Sequence, residues 1–175
     1  MKIAIRESCD ADIEVIAPIY AHSVATETAS WEYDAPSVEE FARRRLGVIA
    51  NGFPYLVAVN AGRVIGYAYA SSYRARMGYR FVVEDSVYVQ RDFQGQGIGT
   101  QLLDALIKAC EQRGYRQMIA VIGDSENVGS IKLHERCGFH VVGTFKSIGF
   151  KFGRWLDSVQ MARSLGAGNR ISPAD

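Results

Sequence analysis

A carboxylate in the middle of a β-branched run has no packing reason to be there. Glu84 sits in such a run, Phe81-Val82-Val83-Glu84-Asp85-Ser86-Val87-Tyr88-Val89. On a strand it shares a face with Val82, Ser86 and Tyr88. Burial disfavours the charged carboxylate, raises its pKa and suits it to act as a base near neutral pH. The alternative is a surface carboxylate on a half-exposed strand. Just downstream lies Gln94-Gly95-Gln96-Gly97-Ile98-Gly99-Thr100. A strand that enters a glycine turn and leaves as a helix can hold an anion. Glycine lets the backbone approach closely, and the first-turn N–H groups point at the ligand. Arg74 and Arg76 offer planar forks matched to carboxylate or phosphinate groups, or are two solvated loop arginines. His134, beside Leu133 and Cys137, could protonate a leaving group or simply pack in a helix.

Two familiar phosphate motifs do not fit the turn. A Walker loop ends in Gly-Lys followed by Ser or Thr, whereas this chain has Gly99-Thr100-Gln101. A dinucleotide fingerprint needs a third glycine where Thr100 stands, and belongs in the first βα unit instead of mid-chain. An anion-binding turn remains, with tight packing of a helix N-terminus as the alternative.

These residues need elements to position them. Alternation predicts a first strand over Lys2–Arg6, and Asp10 is placed to cap a helix over residues 11–25 that Pro18 should kink or restart. A loop follows to Pro36, with Trp31 and Tyr33 as its large side chains, placed to wall a pocket, pack in the core or meet a second copy. Ser37 and Glu40 form a capping-box signature for a helix closed by Gly52. Strands are expected over 55–60, 64–71, 81–89, 118–122, 139–146 and 155–161. Helices should run from the glycine turn to Arg113, and from Ser125 or Asn127 to Cys137-Gly138. Residues 1–163 read as one domain and 164–175 as a flexible tail.

Composition sets limits. The 175 residues, 48% hydrophobic and 22% charged, suit one soluble domain. Twenty basic residues balance nineteen acidic ones, so no electrostatic argument favours nucleic acid or a membrane surface. Arg43-Arg44-Arg45 reads as a solvated helix face. Three cysteines without paired spacing, and three histidines without ligand spacing, point to a reducing compartment and no metal. No apolar run is long enough to span a membrane and the N-terminus is too polar for a signal peptide, so cytoplasm is the expectation.

Gln94, Gly97 and Gly99 match the pyrophosphate-binding motif of the GNAT N-acetyltransferases. Asn127, Ser130, His134 and Gly138-Phe139 match that family's second signature, with His134 where the family usually has Tyr. The chain resembles this superfamily over about residues 3–162. Within it, the chain resembles the phosphinothricin and methionine sulfoximine acetyltransferases through four stretches. They are Tyr67–Ala70 with Tyr73–Arg76, then Val83–Val89, Ala120–Gly123 and Gly149–Asp157. The resemblance implies an α/β (α+β) GNAT fold: a mixed, mostly antiparallel twisted sheet of about six or seven strands flanked by about four helices. It implies acetyl-CoA as cosubstrate, held by Val87, Tyr88, Val89, the 94–100 turn and Asn127. The acceptor would be a small amino-acid-like amine, met by Arg74, Ala75, Arg76, Glu84, Asp85 and Ser86. Glu84 and His134 would be base and acid, and the enzyme a homodimer. An acetyltransferase for peptide N-termini and a non-catalytic acyl-CoA sensor stay open beside it.

Overall fold

Hydrophobic periodicity switches between two and 3.6 along this chain, and the computed structural model, which describes residues 2–173, follows it. The strands are β1 (Ile3–Glu7), β2 (Tyr55–Asn60), β3 (Arg63–Ser72), β4 (Val82–Val89), β5 (Gln117–Gly123), β6 (His140–Lys151) and β7 (Arg154–Ser164). The helices are α1 (Ile13–Thr26), α2 (Val38–Ala50), α3 (Ile98–Gln112) and α4 (Val128–Arg136). The strands form one sheet in the order β1-β2-β3-β4-β5-β7-β6. Every neighbouring pair is antiparallel except β4–β5.

Two cores cover the two faces. Leu102, Leu103, Leu106, Ile107 and Cys110 are the apolar stripe of α3, buried against Ile65, Ala68, Val83 and Met118. On the other face Ile16, Tyr20 and Val24 of α1 and Phe41 of α2 pack on Val57, Val64 and Tyr67. Tyr88 closes this second core. Its ring lies 5.1 Å from Tyr67 and 5.3 Å from Tyr20. Residues of β4 therefore alternate between the cores: Val83, Val87 and Val89 belong to one, Tyr88 to the other.

Ser37 caps α2 as its sequence suggests, accepting the Glu40 N–H at 3.2 Å, and Gly52 follows at φ 79°. Other expectations give way to tertiary contacts. Asp10 does not cap α1. Asp12 instead accepts the Cys9 N–H at 2.8 Å, while Asp10 pairs with Arg45 at 2.7 Å. Arg45 is accordingly buried, bonded also to Ser8, and only Arg43 and Arg44 keep to the exposed face, paired with Glu40. Pro18 is accommodated inside one continuous helix. Strands β6 and β7 run on to a tight hairpin with Phe152 at φ 52° and Gly153 at φ 72°. Leu165, expected to begin a loose tail, is fully buried, its N–H donating to the Arg116 carbonyl at 2.9 Å.

Asp12 joins β1 to the start of α1. Arg6 reaches it with both guanidinium arms, at 2.7 and 2.8 Å. That hydrogen bond outweighs burial and holds the Asp12 carboxyl down at about 2. A depressed carboxylate contributes stability that is present above its unfolded value near 3.8 and lost as pH falls towards 2. Asp12→Asn is expected to lower unfolding free energy at pH 7 by about 1–2 kcal/mol. It should also flatten the acid limb of stability between pH 4 and 2, measured by urea unfolding.

Candidate active site

The glycine turn is built as its sequence implies. Gly95 and Gly97 take φ of 72° and 80°, and Gly97 is the left-handed N-cap of α3. No side chain caps α3. Its first bond back to the turn runs from Gln101 N–H to the Gly97 carbonyl, so the earlier N–H groups remain for a ligand. Within the turn the residues divide. Gln94, Gly95, Gly97, Gly99 and Thr100 line a cleft of about 1240 Å³. Ile98 is buried in the core, and Gln96 folds back to the Asp92 carbonyl at 3.0 Å, so neither lines the cleft. Gln94 is a brace, its amide donating to Glu27 at 3.1 Å and to the Val89 carbonyl at 3.2 Å.

The cleft owes its depth to a parting of the sheet. β4 pairs with β5 over three rungs, Val82–Gln117 to Glu84–Ile119. Beyond Glu84, β5 stays on β7 as far as Gly123, and β4 stays on β3. The β5-side edge of Ser86–Val89 is left without a strand partner. A second cleft of about 300 Å³ lies there, lined by Trp31, Glu84, Ser86, Ile122 and His134. The two clefts share Val87 and Tyr88 on one wall and Asn127, Ser130 and Leu133 on the other. Tyr88, with its ring in the core, can offer only backbone here. Asn127 caps α4 through Oδ1, bonded to the Ser130 N–H at 3.2 Å, so its amide Nδ2 is the group it can offer.

Glu84 is half-buried at the end of the paired rungs. Burial, helped by the neighbouring Asp85 charge, pushes its carboxyl up to about 7. It can therefore release and accept a proton at neutral pH. Asp85, on the opposite face of β4, also borders the small cleft but is buried, with Oδ2 3.0 Å from His134 Nε2. The other His134 nitrogen, Nδ1, lies 2.8 Å from the Ser130 carbonyl. Both ring nitrogens of His134 are thus engaged.

Arg74, Ala75 and Arg76 lie on the exposed connection after β3, and none lines either cleft. The Arg74 guanidinium sits over the rings of Tyr73 and Tyr79, at 5.1 and 5.5 Å. Trp31 is nearer the centre than sequence could settle. Its indole is fitted against two glycines from different strands. A Cβ on Gly149 would come within 2.5 Å of the ring, and one on Gly123 within 2.6 Å of Nε1. Lys151, within the Gly149–Asp157 stretch, has no role assignable from sequence alone. It is buried at the β6–β7 hairpin and donates to the carbonyls of Glu27 and Ser30, at 3.0 and 2.6 Å. The signal was the run Gly149–Asp157, whose glycines and lysine make sense only once loop 27–33 is laid across it.

Gly149→Ala is expected to expel the indole and cost about 1–3 kcal/mol through overpacking. In a Trp155→Phe background, where Trp31 is the remaining tryptophan, its selectively excited emission should shift to the red. Unchanged emission would contradict the fit.

The acetyltransferase (GNAT) domain family matches residues 5–160. Phosphinothricin N-acetyltransferase of Alcaligenes faecalis is 51% identical over 164 residues, 94% of this chain and 83% of that protein. An L-methionine sulfoximine/L-methionine sulfone acetyltransferase of Pseudomonas paraeruginosa is 41% identical, over 94% of this chain and 96% of the other. A GNAT-superfamily phosphinothricin acetyltransferase of Sinorhizobium meliloti, solved in complex with acetyl-CoA, superposes with a TM-score of 0.97 at 45% identity. It covers 100% of this chain and 95% of its own. A glycine turn opening an uncapped helix, a sheet parted beside it and the match over nearly the whole chain lead to one conclusion: this protein belongs to the GNAT acetyltransferase family.

Proposed function

We propose that the protein transfers the acetyl group of acetyl-CoA to the free amine of a small amino-acid-like acceptor, of the phosphinothricin or methionine sulfoximine kind. The observation that carries this reading is the junction of a long cleft with a small one at the unpaired edge of β4. The long cleft suits the cofactor: phosphate oxygens at the N–H groups of the 97–100 turn, and the pantetheine arm along Val87–Val89 opposite Asn127. The small cleft, with Glu84 on its wall and Trp31 over it, suits an acceptor of a few heavy atoms better than a folded peptide terminus.

Glu84 takes the ammonium proton, and the neutral amine attacks the thioester carbonyl carbon. N–H groups of β4 near Val87 and Val89 hold the developing oxyanion. The carbon–sulfur bond breaks, sulfur keeps the electron pair, and an acid returns a proton to it. We assign the acceptor's anionic group to Arg74 and Arg76. Their loop leaves β3 after Ser72, one residue beyond Ser71, which is opposite Glu84 in the β3–β4 ladder. The three free cysteines support a reducing, cytoplasmic setting.

Thiol release from acetyl-CoA, followed against phosphinothricin, methionine sulfoximine, methionine sulfone, ordinary amino acids and short peptides, tests this reading. Release with the tetrahedral phosphorus and sulfur compounds supports it. Release with peptides alone would replace the acceptor class, and cofactor binding without release from any amine would favour a sensor. Glu84→Gln should lower turnover by about 100-fold near pH 7. The loss should shrink towards pH 9, because a free amine then forms without the base and an α-amino group titrates near ~8. An unchanged pH profile would remove Glu84 from the mechanism.

The same chain is proposed to work as a homodimer. Edge strand β6 and its hairpin expose Val141, Val142, Phe145, Ile148, Phe150, Phe152 and Trp155, a patch that a soluble monomer rarely leaves bare. Sedimentation equilibrium should return twice the 19.3-kDa chain mass, and Phe145→Lys should return one.

A further inference from the structure

The buried pair Asp85–His134 is a group that the acetyl-transfer reading does not yet use. Its hydrogen bonds count its protons. His134 Nδ1 lies 2.8 Å from the Ser130 carbonyl, which can only accept, so Nδ1 carries a hydrogen. Nε2 lies 3.0 Å from Asp85 Oδ2. Either Nε2 donates to a carboxylate or it accepts from a carboxylic acid. In both arrangements one further proton sits between the two residues. The pair is neutral, which is how a buried His and Asp avoid the cost of a lone charge. Asp85 Oδ1 is buried with no partner, a cost that packing alone does not repay.

The surroundings keep that proton in the pair. Burial by itself would push His134 down, but the Asp85 hydrogen bond and charge, with the Ser130 carbonyl, outweigh it and the net direction is up. The Phe139 ring packs T-shaped against the imidazole, with ring centroids 5.1 Å apart. The thiols within electrostatic reach of Asp85 are Cys110 of α3 and Cys137 after α4. Burial pushes both up to about 12, so they stay neutral. Asp104 of α3 acts on Cys137, and Glu84 acts on Asp85 from the opposite face of β4. The exit is Ser130. Its Oγ lies 3.5 Å from His134 Nδ1, at the outer limit of a hydrogen bond, and Ser130 lies on the wall that both clefts share.

We propose that Asp85 is a positioning residue that keeps a proton on His134, and that this proton, passed through Ser130 Oγ, is the one delivered to the departing thiolate. This rests on the acetyl-transfer reading above. As the carbon–sulfur bond breaks, sulfur takes its electron pair and the Ser130 hydroxyl proton. The imidazolium Nδ1 proton replaces it on Oγ. The pair is left with one proton fewer and regains one from solvent, balancing the proton that Glu84 took from the amine and releases.

The test combines a spectroscopic and a kinetic measurement. In wild-type protein labelled with 15N-histidine, the His134 resonances, assigned by their loss in His134→Phe, should be those of a doubly protonated ring through pH 7. Asp85→Asn keeps the shape, and its amide can donate to Nε2, so His134 should become the neutral Nδ1–H tautomer. Turnover of Asp85→Asn and of Ser130→Ala should fall by about 10–100-fold, with the acetyl-CoA KM within about twofold. The deficit of Asp85→Asn should deepen as pH rises, the opposite of the Glu84→Gln pattern. Ser130→Ala retains the backbone N–H that Asn127 caps, so loss of the helix cap does not explain its defect. A neutral His134 ring in the wild type overturns the proposal, as does unchanged turnover in either variant. If no amine is acetylated, the kinetic arm fails with the functional reading, while the ring's protonation still decides whether the proton is there.

Discussion

Everything at this site depends on β4 and β5 pairing for only three rungs. A parallel pair needs a crossover between its strands, and α3 supplies it here. The two strands begin together at Val82 and Gln117 and part after Glu84 and Ile119. The parting puts a half-buried carboxylate, an unpaired strand edge and a helix N-terminus along one line. A fully paired sheet would have used the same N–H and C=O groups on itself and left neither cleft.

What holds the strands apart is competition for β5. Seven consecutive rungs bind β5 to β7, from Gln117–Ser164 to Gly123–Ser158. Beyond the strand the junction into α4 is fastened to the same hairpin. Asp157 accepts from the Ser125 hydroxyl at 2.5 Å, the Lys146 ammonium at 2.8 Å and the Ser147 N–H at 3.0 Å. Arg154 pairs with Asp124, which sits at φ 81°. Helix α4 is thereby aimed so that its Asn127 cap and Ser130 face the gap while His134 reaches across to Asp85. The placement of α4 is thus set by β6 and β7, strands that line little of the clefts themselves.

The roof obeys the same hairpin. Lys151 is buried because two loop carbonyls solvate its ammonium, and Tyr33 donates to the Phe150 carbonyl at 2.5 Å. Trp31 fits over Gly149 and Gly123, where any side chain would displace it. Loop 27–33 has no regular structure of its own, yet it is fixed from below by β6. One hairpin therefore aims α4, seats the loop over the small cleft and carries the exposed apolar edge.

Much of this was legible in the residues. Strand and helix spans follow from local periodicity and capping, which act over a few residues: Ser37 with Glu40, the α3 stripe, and the glycines at 95 and 97 all behave as written. The turn's geometry was readable for the same reason, since backbone angles and first-turn N–H groups are local properties. Glu84 stood out because a carboxylate among valines is anomalous in one dimension. Tertiary contacts decided the rest. Whether Asp85 reaches His134 depends on which face of β4 meets α4, and whether Arg45 is solvated depends on where Ser8 and Asp10 fall. Trp31, Gly123 and Gly149 are far apart in sequence and meet only when the sheet is assembled. The parting of β4 from β5 has no sequence signature, because it arises from the competition of β5 for two neighbours, and a competition between distant segments is settled only in three dimensions.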